Sequence, residues 1–167
     1  MRDQLTLFML VFSLCLLNSA RADEHGMFTT QSLTPETALK AATSALNKCR
    51  DDGYQVAVAV VDRMGNMQVM IRDRFAGAHT PDTARRKAWT AASFRTNTTD
   101  LLDISGPGQP QAGLRDITGA LALGGGVLIE AGGSLVGAIG VSGAPGGDLD
   151  DVCALAGIEA IEEDIAF

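Results

Sequence analysis

Gln55 to Asp62 reads QVAVAVVD, and this run decides the fold. Alternation along a strand sends Val56, Val58 and Val60 to one side and Ala57, Ala59 and Val61 to the other. Both sides are apolar, which marks a central strand covered on both faces. Arg63-Met64-Gly65-Asn66 has the composition of a hairpin turn. Met67 to Arg72 then returns as an alternating strand, with Met67, Val69 and Ile71 on one face.

Helices are expected on either side of this hairpin. Upstream, Thr34 can N-cap, Pro35 suits the first helical position and Glu36 complements the dipole. Leu39, Ala42, Thr43 and Leu46 follow at helical spacing, and Gly53 ends the helix. Downstream, Thr80-Pro81-Asp82 repeats the cap, proline and acid start of a second helix running to about Asn97. Its Ala84, Ala88, Ala91 and Ala92 form a small-residue stripe that permits close packing on a sheet, with Trp89 and Phe94 off that stripe. A short helical turn is expected from Thr99 to Ile104, and Ser105 to Gly113 is a loop by composition. Strands are expected at Leu121 to Leu123, Val127 to Glu130 and Leu135 to Ser142, the last two joined by a turn at Ala131-Gly132-Gly133-Ser134. In the last of these, Leu135, Ile139 and Val141 share a face with Gly137, while Val136, Ala138, Gly140 and Ser142 make a small-sided face. Gly143 to Asp148 leads into a final helix with Ala154, Ile158, Ile161 and Ile165 at helical spacing.

Bulk properties bound the function. The 167 residues are 46% hydrophobic and 20% charged, enough apolar surface for a packed core. The net charge of −7 excludes the basic footprint of a nucleic-acid binder. Arg2, the apolar run Leu5 to Leu17 and Ala20-Arg21-Ala22 together read as a signal peptide cleaved after Ala22. The apolar run is too short to span a bilayer comfortably, so no stable membrane span is expected after cleavage. The expected organisation is therefore a signal peptide at residues 1–22, a flexible lead-in at residues 23–32 that contains His25, and a single domain at residues 33–167. The expected location is periplasmic or secreted. Cys49 and Cys153, both in expected helices, are a disulfide candidate in such a compartment, or two separate buried thiols.

Few residues can carry chemistry. No G-x-S-x-G elbow and no C-x-x-C pair is present. Gly143, Gly146 and Gly147 form a candidate ligand loop at a helix start, where bare backbone N–H groups favour anions. Its spacing matches neither a Walker loop nor a dinucleotide fingerprint, and Asp148, Asp150 and Asp151 oppose phosphate. Glu159 and Glu162 stand in E-x-x-E spacing, which can hold iron and is equally an ordinary solvated helix face. Arg85, Arg86 and Lys87 crowd the first turns of the second helix, either as a solvated face or as a local anion site. His79 precedes them, in a loop with Phe75, Gly77 and Ala78. An imidazole with apolar neighbours and nearby cations suits haem, as an iron ligand with Arg85 and Arg86 for the propionates. It equally suits a loop histidine that helps cap the helix.

Three blocks, AVAVVDRMGNMQVMIRD, GAHTPDTARRKAWTAASF and LALGGGVLIEAGGSLVGAIGVSGAPGGDLDDVCALAG, together resemble the GlcG/HbpS-like family, also called the haem-degrading domain family. The C-terminal domain of PduO belongs with it. The resemblance implies an α+β, profilin-like α/β/α sandwich, with a five-stranded antiparallel sheet flanked by helices. It also implies a homo-oligomer, haem as the cofactor, and a part in haem sensing or breakdown. Relatives of the exported type often read P-H-T where this chain has Ala78-His79-Thr80. Two further readings of the residues remain: a binder or enzyme for a small carboxylate metabolite, and a ligand-free oligomeric scaffold.

Overall fold

In the computed structural model, which describes residues 26–166, the last six residues of the QVAVAVVD run form β1 (Ala57–Asp62). The leader expected over residues 1–22, its cleavage point after Ala22, and His25 lie outside the described residues. In order the elements are α1 (Pro35–Asp51), β1, β2 (Met67–Arg72), α2 (Thr80–Phe94), α3 (Thr98–Ile104), β3 (Gly126–Ala131), β4 (Ser134–Ser142) and α4 (Gly147–Glu159). The sheet is antiparallel throughout, with strand order β2-β1-β4-β3, so β1 and β4 are central.

Both faces of β1 are covered, as its two apolar faces require. Val56, Val58 and Val60 pack with α1 and α4, through Ala38, Ala42, Leu46, Cys153 and Ala154. Ala57, Ala59 and Val61 pack with α2, through Ala84, Ala88, Ala91 and Ala92. Val56, Val58, Val60 and Val61 are all fully buried, and each such side chain contributes about 1.5–3 kcal/mol relative to an exposed one. The alanine-lined face lets α2 come close to the sheet. At Gly140 on β4, a Cβ would lie only 2.1 Å from the Ala84 carbonyl oxygen.

The helix starts follow local chemistry in different ways. Thr34 caps α1, its Oγ1 accepting from the Thr37 N–H at 3.2 Å. Thr80 does not cap α2. It is the first helical residue, and its Oγ1 donates to the Gly77 carbonyl at 2.8 Å. The helix stops at Phe94, short of Asn97, because Arg95 turns left-handed with φ 52° and the Asn97 side chain accepts the Leu128 N–H at 3.0 Å. Trp89 and Phe94 pack against Leu101, Leu114, Ala120 and Ala122, forming a small separate core beneath α3.

Two expectations about strands are corrected. The sheet has four strands among the described residues, not five, and Leu121 to Leu123 joins no ladder. There the Leu121 N–H donates to Thr90 Oγ1 at 2.9 Å and the Leu123 N–H folds back to the Leu121 carbonyl at 3.0 Å. The Leu121 and Leu123 N–H groups are thereby satisfied without a strand partner. The face of β4 also changes along its length. Ile129 pairs with Gly137 but Glu130 pairs with Leu135, so Val136 is an extra, bulged residue. The bulge turns Val136 into the core shared with Ile139 and Val141, and leaves Leu135 only half-buried. Beyond it, Gly132 and Gly133 take φ of 54° and 74°, the geometry of a tight two-residue hairpin turn.

Candidate functional site

The 73–79 loop is built from its first residue. Asp73 follows β2 directly and is 1% exposed. Arg50, near the end of α1, holds it with two hydrogen bonds, Nε to Oδ2 at 2.7 Å and Nη2 to Oδ1 at 3.0 Å. The hydrogen bonds from Arg50 bring the Asp73 carboxyl down to a pKa of about 2, against the cost of its burial. Asp73 Oδ1 also accepts the Arg74 N–H at 2.7 Å. The Arg72 guanidinium holds the Ala76 carbonyl, and the Gly77 carbonyl takes the Thr80 N–H at 3.0 Å. The loop so fixed delivers His79 to the N-terminus of α2, with its side chain exposed and making no capping hydrogen bond.

Beside His79 lies a cleft of about 480 Å³. One wall is the start of α2, with His79, Thr80, Thr83 and Arg86. Across from it run Ser142 to Gly147 and the first turn of α4. Leu121 and Leu123 close a third side. Two candidates that stand far apart in sequence, His79 with Arg86 and the loop of Gly143, Gly146 and Gly147, thus line the same cavity. Arg86 is also tethered, its Nη2 donating to the Ala120 carbonyl at 2.8 Å.

Under the cleft sits a buried ion pair. Lys87 Nζ donates to Asp150 Oδ2 at 2.7 Å and to the Val141 carbonyl at 2.9 Å, and the side chains are 1% and 5% exposed. Asp150 Oδ1 accepts the Ala144 N–H at 3.0 Å, which ties the glycine loop to α2. Burial pushes the Asp150 carboxyl above the usual carboxylate range, against the pull of the Lys87 ammonium. Asp151 is likewise engaged, accepting from the Gly125 N–H at 2.7 Å and from Thr99 Oγ1. Of the three aspartates expected to repel an anion, only Asp148 is exposed. The Lys87–Asp150 pair is not named by the local sequence. Its signal is that Lys87 falls on the alanine stripe between Ala84 and Ala91, where a charge facing the sheet needs a partner.

The other candidates lie elsewhere. Phe75 is 80% exposed and does not line the cleft. Arg85 does not line it either and pairs with Asp82 at 2.8 Å on the surface. Glu159 ends α4 and Glu162 opens a short 3-10 turn, both exposed. No group of three or more His, Cys, Asp or Glu suited to a metal ion occurs among the described residues. Cys49 and Cys153 are joined by a disulfide with Cα atoms 5.5 Å apart. No helix among the described residues is long and apolar enough to cross a membrane.

Known proteins are similar to this chain in sequence and fold. The family described as haem degrading protein HbpS-like matches residues 33–159. A double mutant of HbpS from Streptomyces reticuli is 42% identical, with a TM-score of 0.77, over 84% of this chain and 94% of that one. The crystal structure of a PduOC–haem complex is 29% identical, with a TM-score of 0.74, over 78% of this chain and 95% of that one. A 15.0 kDa protein from the dhaT-dhaS intergenic region of Citrobacter freundii is 32% identical over 114 residues, 67% of this chain and 80% of the relative. This chain, with its two-sided sheet and the cleft at the start of α2, belongs to the HbpS-like family.

Proposed function

We propose that this chain is an exported, homo-oligomeric protein that binds haem in the cleft beside His79. The observation that carries the reading is the convergence of His79, Arg86 and the Gly143–Gly147 loop on one cavity, in a family with a haem-complexed relative. The donor set fits the group. His79 offers an imidazole that the helix does not use as a cap, Arg86 offers a cation for a propionate, and Leu121, Leu123, Ala144 and Pro145 offer apolar contact. His79 would hold the iron, and the bound group would supply redox chemistry in haem sensing or breakdown. Arg85 and Phe75 stand outside this set because neither reaches the cavity.

Titration with haemin tests the reading. The wild-type protein should shift the Soret band with saturable binding, and His79→Ala should weaken that binding by about tenfold or more, the usual loss for a metal ligand or its support. No Soret change in the wild-type protein would sink the proposal. Calorimetry with a small dicarboxylate, run on the same protein, separates haem from the metabolite reading, which uses the same loop.

A further inference from the structure

Cys49 and Cys153 are fully buried, and neither lines the cleft. Their neighbours support its walls. Arg50, next to Cys49, holds Asp73 and through it the loop that carries His79. Asp150, one helical turn before Cys153, holds Lys87 and the Ala144 N–H, and so seats the glycine loop against α2. The bridge therefore joins the supports of two facing walls. The α1–α4 contact also extends beyond it. One turn further along α4, at Gly157, the helices lie so close that a Cβ would sit 2.6 Å from the Ala41 carbonyl oxygen. Close packing at Gly157 thus seats the far end of α4, and the bridge is the covalent tie nearer its cleft end.

We propose that the Cys49–Cys153 disulfide is the positioning brace of this cleft, and that its reduction loosens both walls and weakens ligand capture. The claim about ligand capture rests on the haem reading, whereas the claim about the walls does not. A dithiol in solution supplies the two electrons and two protons. The protein S–S bond breaks, two S–H groups form, and the dithiol closes to its own disulfide. Because both sulfurs are buried, exchange requires transient parting of α1 from α4, so the bridge opens slowly.

The experiment compares the full chain oxidised and after reduction with excess dithiothreitol, with the bridge state checked by thiol titration. Amide hydrogen exchange below the melting transition should rise roughly tenfold in residues 73–79 and 143–150 on reduction, with the hairpin turn at 131–134 unchanged. A Cys49→Ala/Cys153→Ala variant should show the same changes without reductant, and bind haemin several-fold more weakly than the oxidised chain. If that variant fails to fold, exchange on the reduced wild-type chain still decides. A lowered melting temperature with unchanged exchange in both segments overturns the proposal and leaves the bridge a purely structural cross-link. If the oxidised chain binds no haemin at all, the haem reading falls, while the exchange measurement still decides the brace.

Discussion

At Lys87 an ammonium group lies 1% exposed beneath the cleft, and its stability depends on Asp150. Two charges removed from water are costly unless they neutralise each other and fill their hydrogen bonds, and this pair does both through Val141 and Ala144. Removing one partner strands the other. Asp150→Ala is expected to destabilise the fold by about 3–5 kcal/mol in urea unfolding. Arg85→Ala, which breaks an exposed pair with Asp82, should stay within about 1 kcal/mol. Equal effects in the two variants would show that the buried pair adds nothing. The partnership was only half legible. Lys87 sits on a visible apolar stripe, but nothing near it in the chain names Asp150, which lies 63 residues away.

Between elements, the closest approach is that of α2 to β4. The small-sided face of β4 was readable from Ala138 and Gly140, and the structure fills it with the α2 backbone. Gly140→Ala would drive a methyl group into the Ala84 carbonyl, so α2 must move off the sheet. The expected cost is about 3 kcal/mol, at the upper end for an overpacked core, measured as a shift in the urea midpoint. Gly113→Ala meets nothing within 4 Å and serves as the neutral control. Legibility ended at the bulge. Strict alternation assigns Leu135 to the core, whereas one extra residue at Val136 reverses the parity. A bulge is a property of two strands and their register, so a single strand's pattern does not announce it.

At the scale of the whole molecule, α1, β2 and the cleft loop are locked together by Arg50 and Asp73. The Asp73 carboxyl is lowered from 3.8 to about 2 in the folded chain. A depressed carboxylate contributes stability in full above its unfolded value and loses it as pH falls through the folded value. The stability difference between wild type and Asp73→Asn should therefore be constant near neutrality and shrink between pH 3.8 and about 2. Urea unfolding across that range checks it, and a difference that stays constant would contradict the assigned pairing. The same scale explains the candidate site. His79 and Gly143 lie on different elements and meet because β4 runs its C-terminal end alongside β1 and under α2.

Features that depend on a few neighbouring residues are written in the chain locally. Val56 to Val61 is apolar at every position, so any fold that accepts it must cover both faces, and the structure does. The Thr34-Pro35-Glu36 start of α1 and the tight turn at Gly132-Gly133 are likewise set by local backbone chemistry. The four-stranded ladder, the Lys87–Asp150 pair, the Cys49–Cys153 bridge and the cleft shared by His79 and the glycine loop come from the packing of distant segments. Periodicity records which face of an element is apolar. It does not record the partner that satisfies a distant charge, thiol or backbone N–H, and those partners are chosen when the layers close.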